Sequence, residues 1–253
     1  MNTFFAFSVA TTLIASFIFP AIFSQQHAAA VTDHITGFLL RPGYVNMQSL
    51  TDMYKKYANY NDVIFNGLFT KYASQLQGFK VTAYVSLADI QTYAPILRSK
   101  GIHIIGYDLE KAFSPTSDLT NPIAYTQRAA YIAHNNGLLF MALPGYPSGR
   151  DTNYARSIAP YTDYYVIQAQ PATNDPPTYQ KFVTMMASAI HSGSPYTKVI
   201  TQMNANMGTV PQMEQDYIYV ASIVDGVVVG MATDTPVSTL DAFYSWLDAN
   251  YGA

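Results

Sequence analysis

Short runs of β-branched and aromatic residues alternate with amphipathic stretches along this chain. Strand-like runs cover residues 36–41, 62–68, 80–87, 102–110, 138–144, 164–170, 198–204 and 226–231. Between them, residues 48–60, 90–100, 122–136, 179–192 and 211–223 carry the apolar spacing of helices with one buried face, and 238–250 close the chain the same way. Further helices are expected after Gly67 and around residues 151–160. The punctuation agrees: Ala88-Asp89 opens one helix, Ser99-Lys-Gly101 ends it, and Asn135-Asn-Gly137 ends another. Strands alternating with helices imply parallel βαβ units. Eight such units in roughly 220 residues fit the small end of the barrel size range. An open doubly wound sheet would bring a glycine-rich phosphate loop after the first strand, and Leu40-Arg-Pro-Gly-Tyr44 is not one. A single α/β domain, a (β/α)8 TIM barrel, is expected over residues 31–253, with no internal repeat beyond the βα rhythm and no linker.

Residues 1–30 stand apart from that rhythm. Residues 4–23 are almost unbroken apolar sequence, and residues 24–30 are small and polar enough for signal cleavage. No Lys or Arg precedes the run, since the first basic residue is Arg41. The run is also long enough for an uncleaved anchor, although Pro20 interrupts it. Export is therefore expected, through a signal peptide or an N-terminal anchor, with the barrel secreted or held on the outer face of the membrane. No other stretch suggests membrane contact. Only 11% of residues are charged, and the net charge of −3 comes without a basic cluster. Nucleic acid needs a cationic footprint and is excluded as a partner. The absence of cysteine removes disulfides, thiolate metal sites and thiol nucleophiles. A neutral, polar, tyrosine-rich surface suits carbohydrate, and the barrel is expected to work as a monomer.

In a barrel, chemistry belongs at the C-terminal ends of the strands, where inward residues alternate with outward ones. The fourth strand ends in Gly106-Tyr-Asp-Leu-Glu110. Side chains two apart share a face, so Asp108 and Glu110 point the same way, with Cα atoms roughly 6.6 Å apart. Of sixteen acidic residues only two are glutamates, Glu110 and Glu214, and two inward carboxylates are costly to bury without purpose. The same parity on the other strands brings Ile64 and Asn66, Tyr84 and Ser86, Val166, Gln168 and Gln170, and Ile200, Gln202 and Asn204 to the inside. Arg41 joins them from the first strand, and Tyr146 overhangs from the turn-rich loop 144–149. Asn66, Tyr84, Ser86, Gln168, Gln170, Gln202, Asn204, Arg41 and Tyr146 are thus candidate substrate contacts. Tyr44 and Tyr179, also near strand ends, either stack on sugar rings or pack.

The segment ending in Asp108 and Glu110 resembles the tail of the Asp-x-x-Asp-x-Asp-x-Glu signature of family 18 chitinases and related barrels. The resemblance implies a glycosidase-type barrel in which Glu110 protonates the glycosidic oxygen and Asp108 orients the N-acetyl group of the substrate. Tyr164-Tyr-Val-Ile-Gln168 with the Pro-rich 174–179 is similar to the sixth-strand region of the plant-type members, and Asp225-Gly-Val-Val-Val-Gly230 to their eighth strand. The family's two earlier Asp positions hold His103 and Gly106 here, and Gln168-Ala-Gln170 replaces a Tyr-Asp pair. The eighth-strand Trp position falls near Met231, and the one tryptophan, Trp246, sits on the last helix at core spacing.

Other constellations are weaker. No two histidines share metal-ligand spacing, and no Gly-x-Ser-x-Gly elbow occurs, so neither a metal site nor a serine hydrolase is expected. No cofactor is implied. His103 has outward parity, and Glu214 with Asp216 reads as a solvated helix face. Two readings stay open: an exported glycoside hydrolase with Glu110 as general acid, and a non-catalytic carbohydrate-binding or cell-surface barrel.

Overall fold

The computed structural model describes residues 34–68 and 70–252, and the expected leader lies outside them. Eight parallel strands close into a barrel in chain order: β1 (Ile35–Leu39), β2 (Val63–Phe65), β3 (Phe79–Tyr84), β4 (Ile104–Tyr107), β5 (Leu139–Ala142), β6 (Tyr164–Gln168), β7 (Lys198–Asn204) and β8 (Gly226–Gly230). The helices that cover it are α1 (Met47–Tyr54), α2 (Thr70–Ala73), α3 (Leu87–Leu97), α4 (Thr116–Thr120), α5 (Pro122–Asn135), α6 (Thr152–Ile158), α7 (Pro176–Gly193), α8 (Val210–Val220) and α9 (Val237–Tyr251). The expected (β/α)8 barrel is the fold observed. No described helix is long and apolar enough to cross a membrane.

Strand parity splits the core in two. Ile35, Val63, Phe65, Val81, Ile104, Met141, Val166, Ile200 and Val228 fill the barrel, while Phe38, Ile64, Ile105, Phe140 and Tyr165 face the helices. Ile64 therefore points outward, against expectation. β2 is only three residues long and buried on both faces, so alternation carries no signal there. The tyrosine surplus builds the layer between sheet and helices. Tyr54, Tyr107, Tyr154, Tyr179, Tyr217 and Tyr244 are fully buried, and each hydroxyl has a hydrogen-bond partner. Tyr44 is also buried and donates to the Thr235 carbonyl.

A fourfold device closes the N-terminal end. The residue just before each even-numbered strand accepts, through its side chain, from the second backbone N–H of the preceding odd strand. Asp62 holds Thr36 N at 2.7 Å, His103 Nδ1 holds Lys80 N at 3.1 Å, Asp163 holds Phe140 N at 2.7 Å and Asp225 holds Val199 N at 2.8 Å. The carbonyls of the same four residues accept from Phe79, Leu139, Lys198 and Ile35, the first residue of the next odd strand. The chain thus repeats in quarters, a regularity the residue pattern hides because His103 stands where the other three quarters have Asp. Burial holds the His103 pKa below its ordinary value, with Lys80 and Arg98 adding to the effect, which suits a neutral ring accepting at Nδ1. Asp62 also accepts from Asn59 N at 2.8 Å. Asp62→Ala leaves both donors unpaired and should cost about 2–4 kcal/mol, lowering Tm by roughly 5–15 °C. A thermal melt within a degree of wild type would show that the ring contributes nothing.

Asp216 corrects another expectation. It lies on the buried stripe of α8 with Met213, Tyr217 and Val220, the i, i+3, i+4, i+7 spacing of a core face, and is 0% exposed. Neither carboxylate oxygen has a hydrogen-bond partner among the described residues. Burial, and then the charge of Asp175, raise its pKa from 3.8 to about 7.

Candidate functional site

β4 delivers Asp108 and Glu110 to the C-terminal mouth as its alternation requires. Its inner face runs Ile104, Gly106 and then Asp108, whose backbone N–H still donates to Tyr84 on β3 at 2.9 Å. Beyond it the chain turns. Ser114 Oγ accepts from Glu110 N at 2.9 Å and donates to the Asp108 carbonyl at 3.3 Å, and Phe113 N and Ser114 N donate to the Glu110 carbonyl. This turn is joined to the loop after β5, where Gly145 N donates to Leu109 O at 3.0 Å and Lys111 N to Tyr146 O at 3.3 Å.

The two carboxyls line a cavity of about 210 Å³ with Asn66, Gln168, Gln170 and Gln202, and Leu39, Phe65, Ala83, Leu143 and Val228 complete its wall. Gln168 fixes Asp108: its side-chain N–H donates to Asp108 Oδ1 at 3.1 Å and to the Leu143 carbonyl at 2.9 Å. Burial, then the charge of Glu110, raise the Asp108 pKa from 3.8 to about 7, against the lowering effect of the Gln168 bond. Carboxyl–carboxyl hydrogen bonding to Glu110 adds to the rise. At about pH 7 the Asp108 proton is half lost, and because the two carboxyls interact its titration belongs to the pair rather than to either residue.

Gly145 makes room for Glu110. A Cβ built there would lie 2.4 Å from Glu110 Cγ and 2.9 Å from its Cδ, closer than carbon atoms approach without one of them moving. Gly145→Ala should therefore displace Glu110 and change its separation from Asp108. Carboxyl-carbon NMR would then read an Asp108 midpoint shifted from about 7, because the neighbouring carboxyl has moved. An unchanged midpoint would mean that Gly145 does not set the position of Glu110.

Several expected contacts lie elsewhere. Tyr84 faces outward and stacks on Tyr93 of α3 with ring centroids 5.4 Å apart. Ser86 is the N-cap of α3, accepting from Asp89 N at 3.1 Å and donating to its carboxylate at 2.6 Å. The inward residues of β3 are Val81 and Ala83, so the phase is one off from that expected. Asn204 Oδ1 caps the turn after β7 by accepting from Asn206 N at 2.9 Å and does not reach the cavity. Arg41 is exposed beyond β1, in a turn where Tyr44 N donates to its carbonyl, and does not line the cavity either. Asn66 does reach the mouth, though not by strand parity. It adopts a left-handed backbone (φ 62°), a conformation Asn tolerates better than most residues, and its side chain donates to Leu40 O at 3.0 Å. Gln168, Gln170 and Gln202 stand where expected.

Two aromatic residues mark the rim. Tyr146 is 63% exposed and lines a smaller hollow that shares Gln168 and Gln170 with the cavity. Phe113, not singled out from sequence, is 68% exposed in the loop that follows Glu110. Its one legible signal was its place three residues after the glutamate. At the two positions where the chitinase signature carries aspartates, the local structure has other uses. His103 belongs to the ring of strand-entry contacts. Gly106 has no space for a side chain, since a Cβ there would lie 2.7 Å from Leu143 and 3.0 Å from Ala83.

No protein-family model matches the chain, and no curated protein does. Solved structures share its fold. They include a chitinase from Chromobacterium violaceum ATCC 12472, with a TM-score of 0.60 and 9% identity over 87% of this chain and 99% of that one. The spore cortex-lytic enzyme SleL of Bacillus megaterium QM B1551 gives 0.56 and 11% over 87% and 74%. A Schiff base forming fructose-1,6-bisphosphate aldolase gives 0.57 and 13% over 87% and 94%. At such identities the likeness is one of fold alone.

Proposed function

We propose that this protein is an exported glycoside hydrolase-like barrel that acts on a glycan, with the Asp108–Glu110 pair as its acid–base centre. The observation that carries the reading is the paired carboxyls in a cavity otherwise lined by amides and apolar groups, with Asp108 raised to about 7. Amides of Asn66, Gln168, Gln170 and Gln202 offer donors and acceptors without charge, as sugar hydroxyls require. Glu110 lies one step further out along the chain and is the proton donor; Asp108, fixed by Gln168, keeps the shared proton available and supplies negative charge beside the anomeric carbon once ionised. Export rests on the apolar run at residues 4–23.

An aldolase-type Schiff base needs a lysine at the mouth. None lines this cavity, and the two strand lysines, Lys80 and Lys198, are committed at the opposite end to carbonyls and to Asp225. The second reading, a barrel that binds glycan without turnover, is favoured by Gln168 and Gln170 in place of the chitinases' Tyr-Asp pair. A hydrolysis screen over chitin, peptidoglycan and neutral glycans, with Glu110→Gln as control, separates the two. A protein that binds an oligosaccharide, cleaves nothing, and binds equally well as Glu110→Gln is a binding module.

A further inference from the structure

The cavity at Asp108 and Glu110 has two further hollows beside it. Gln168 and Gln170 also line a hollow of about 90 Å³ that includes Tyr146 and Arg150. Arg150 and Phe182 carry this into a third hollow of about 270 Å³ against α7, which reaches Met185. Each neighbouring pair shares lining residues, so the three adjoin in a row leading outward from the carboxyl pair, and we read that row as one groove.

The groove is polarised. Its inner end holds the two carboxyls, and among the described residues Arg150 is the only charged one lining the outer two hollows. The Arg150 guanidinium lies 5.7 Å from the centroid of the Tyr146 ring, and no carboxylate pairs with it among the described residues. Stacking on a ring restrains a guanidinium while leaving its N–H fork available for two parallel bonds to a carboxylate.

We propose that the groove takes a glycan that carries a carboxylate on a sugar beyond the one held at Asp108 and Glu110, with Arg150 as the counter-ion. The proposal rests on the reading of the carboxyl pair as a glycan site. The pair repels an acid group from the inner end while Arg150 attracts it to the outer end, so the ligand lies in one direction only. Gln168 and Gln170 bond the neutral stretch between. A neutral glycan would leave Arg150 without a partner, and a ligand acidic at its reacting sugar would meet two carboxyls.

The test titrates acid-bearing tetrasaccharides, uronates and lactyl ethers, into the full protein at low salt, each beside its carboxyl-reduced counterpart. The acid member should bind about tenfold more tightly, about 1.4 kcal/mol, and the ratio should fall toward one as salt is raised. Arg150→Gln should bring the ratio to one, and Arg150→Lys should keep part of it. Arg128→Gln, which removes an exposed cation from α5 away from the groove, should leave it intact. Equal binding of acid and reduced members by wild type, or a ratio that survives Arg150→Gln, overturns this proposal and leaves the glycan reading standing. If no tetrasaccharide of either kind binds, both fall.

Discussion

Glu110→Gln should abolish turnover while leaving stability nearly unchanged. The substitution keeps the shape of the side chain at the mouth and the room that Gly145 leaves for it, and it removes the transferable proton. Cleavage of a glycosidic bond needs a proton on the bridging oxygen as the bond from the anomeric carbon breaks. A carboxylate stabilises the positive charge left on that carbon until water adds and gives up its proton to the enzyme. Positioned acids and bases contribute about 10²–10⁴-fold, and sugars are poor leaving groups, so the loss should fall toward the upper end. Asp108→Asn should also slow the reaction, since it removes the group that retains the shared proton and supplies the charge. Because the Asp108 pKa is raised to about 7, wild-type kcat/KM should fall as pH rises through that value and the pair loses its proton. A Glu110→Gln enzyme with undiminished turnover would remove the acid role, and a rate flat from pH 5 to 8 would remove the shared proton.

The second large effect concerns stability. Asp216→Asn should stabilise the protein at pH 8 by about 2 kcal/mol, a discount on the roughly 1.4 kcal/mol per unit that a full shift implies. The folded pKa of about 7 lies above the ordinary 3.8 that the unfolded chain restores. Between those values the folded protein holds a proton that the unfolded one releases, so wild-type stability from this group is fully present below about pH 4 and is lost as pH rises to 7. Asparagine does not titrate, so the gain should shrink with falling pH and vanish near pH 4. Asp62 and Asp108, also raised to about 7, push in the same direction, while His34, held down to about 4 by burial, opposes them below its ordinary 6.5. Comparing variant with wild type at each pH in urea cancels those shared contributions. A gain that does not change with pH would mean that Asp216 is not a buried charge.

The alternation of strand and helix, and with it the closed barrel, was readable from residues alone. Backbone hydrogen bonding and side-chain alternation are local, and β-branched runs separated by amphipathic stretches leave few ways to bury both. The positions of Asp108, Gln168 and Gln202 were readable for the same reason, since those strands run straight from an apolar interior to a polar mouth, and Glu110 follows in the turn directly after Asp108. Where strands were short or their ends bent, local pattern failed. Three residues of β2 buried on both faces carry no phase, and Asn66 reaches the site through a left-handed turn. Tyr84 is drawn outward by Tyr93, and Ser86 is taken by the cap of α3, a Ser-x-x-Asp signal that competed with the strand pattern. Arg41 lies past the point where β1 leaves the wall, and Asn204, the last residue of β7, turns its side chain to cap the turn that follows. Asp216 looked solvated because a carboxylate ordinarily is, although the phase of α8 turns it into the core. Only the tertiary structure could bring Arg150 beside Gln168 and Phe182, join Gly145 to Glu110, or close the fourfold ring of Asp62, His103, Asp163 and Asp225. Each of those contacts joins different βα units, and strand register and barrel closure decide which of their residues meet.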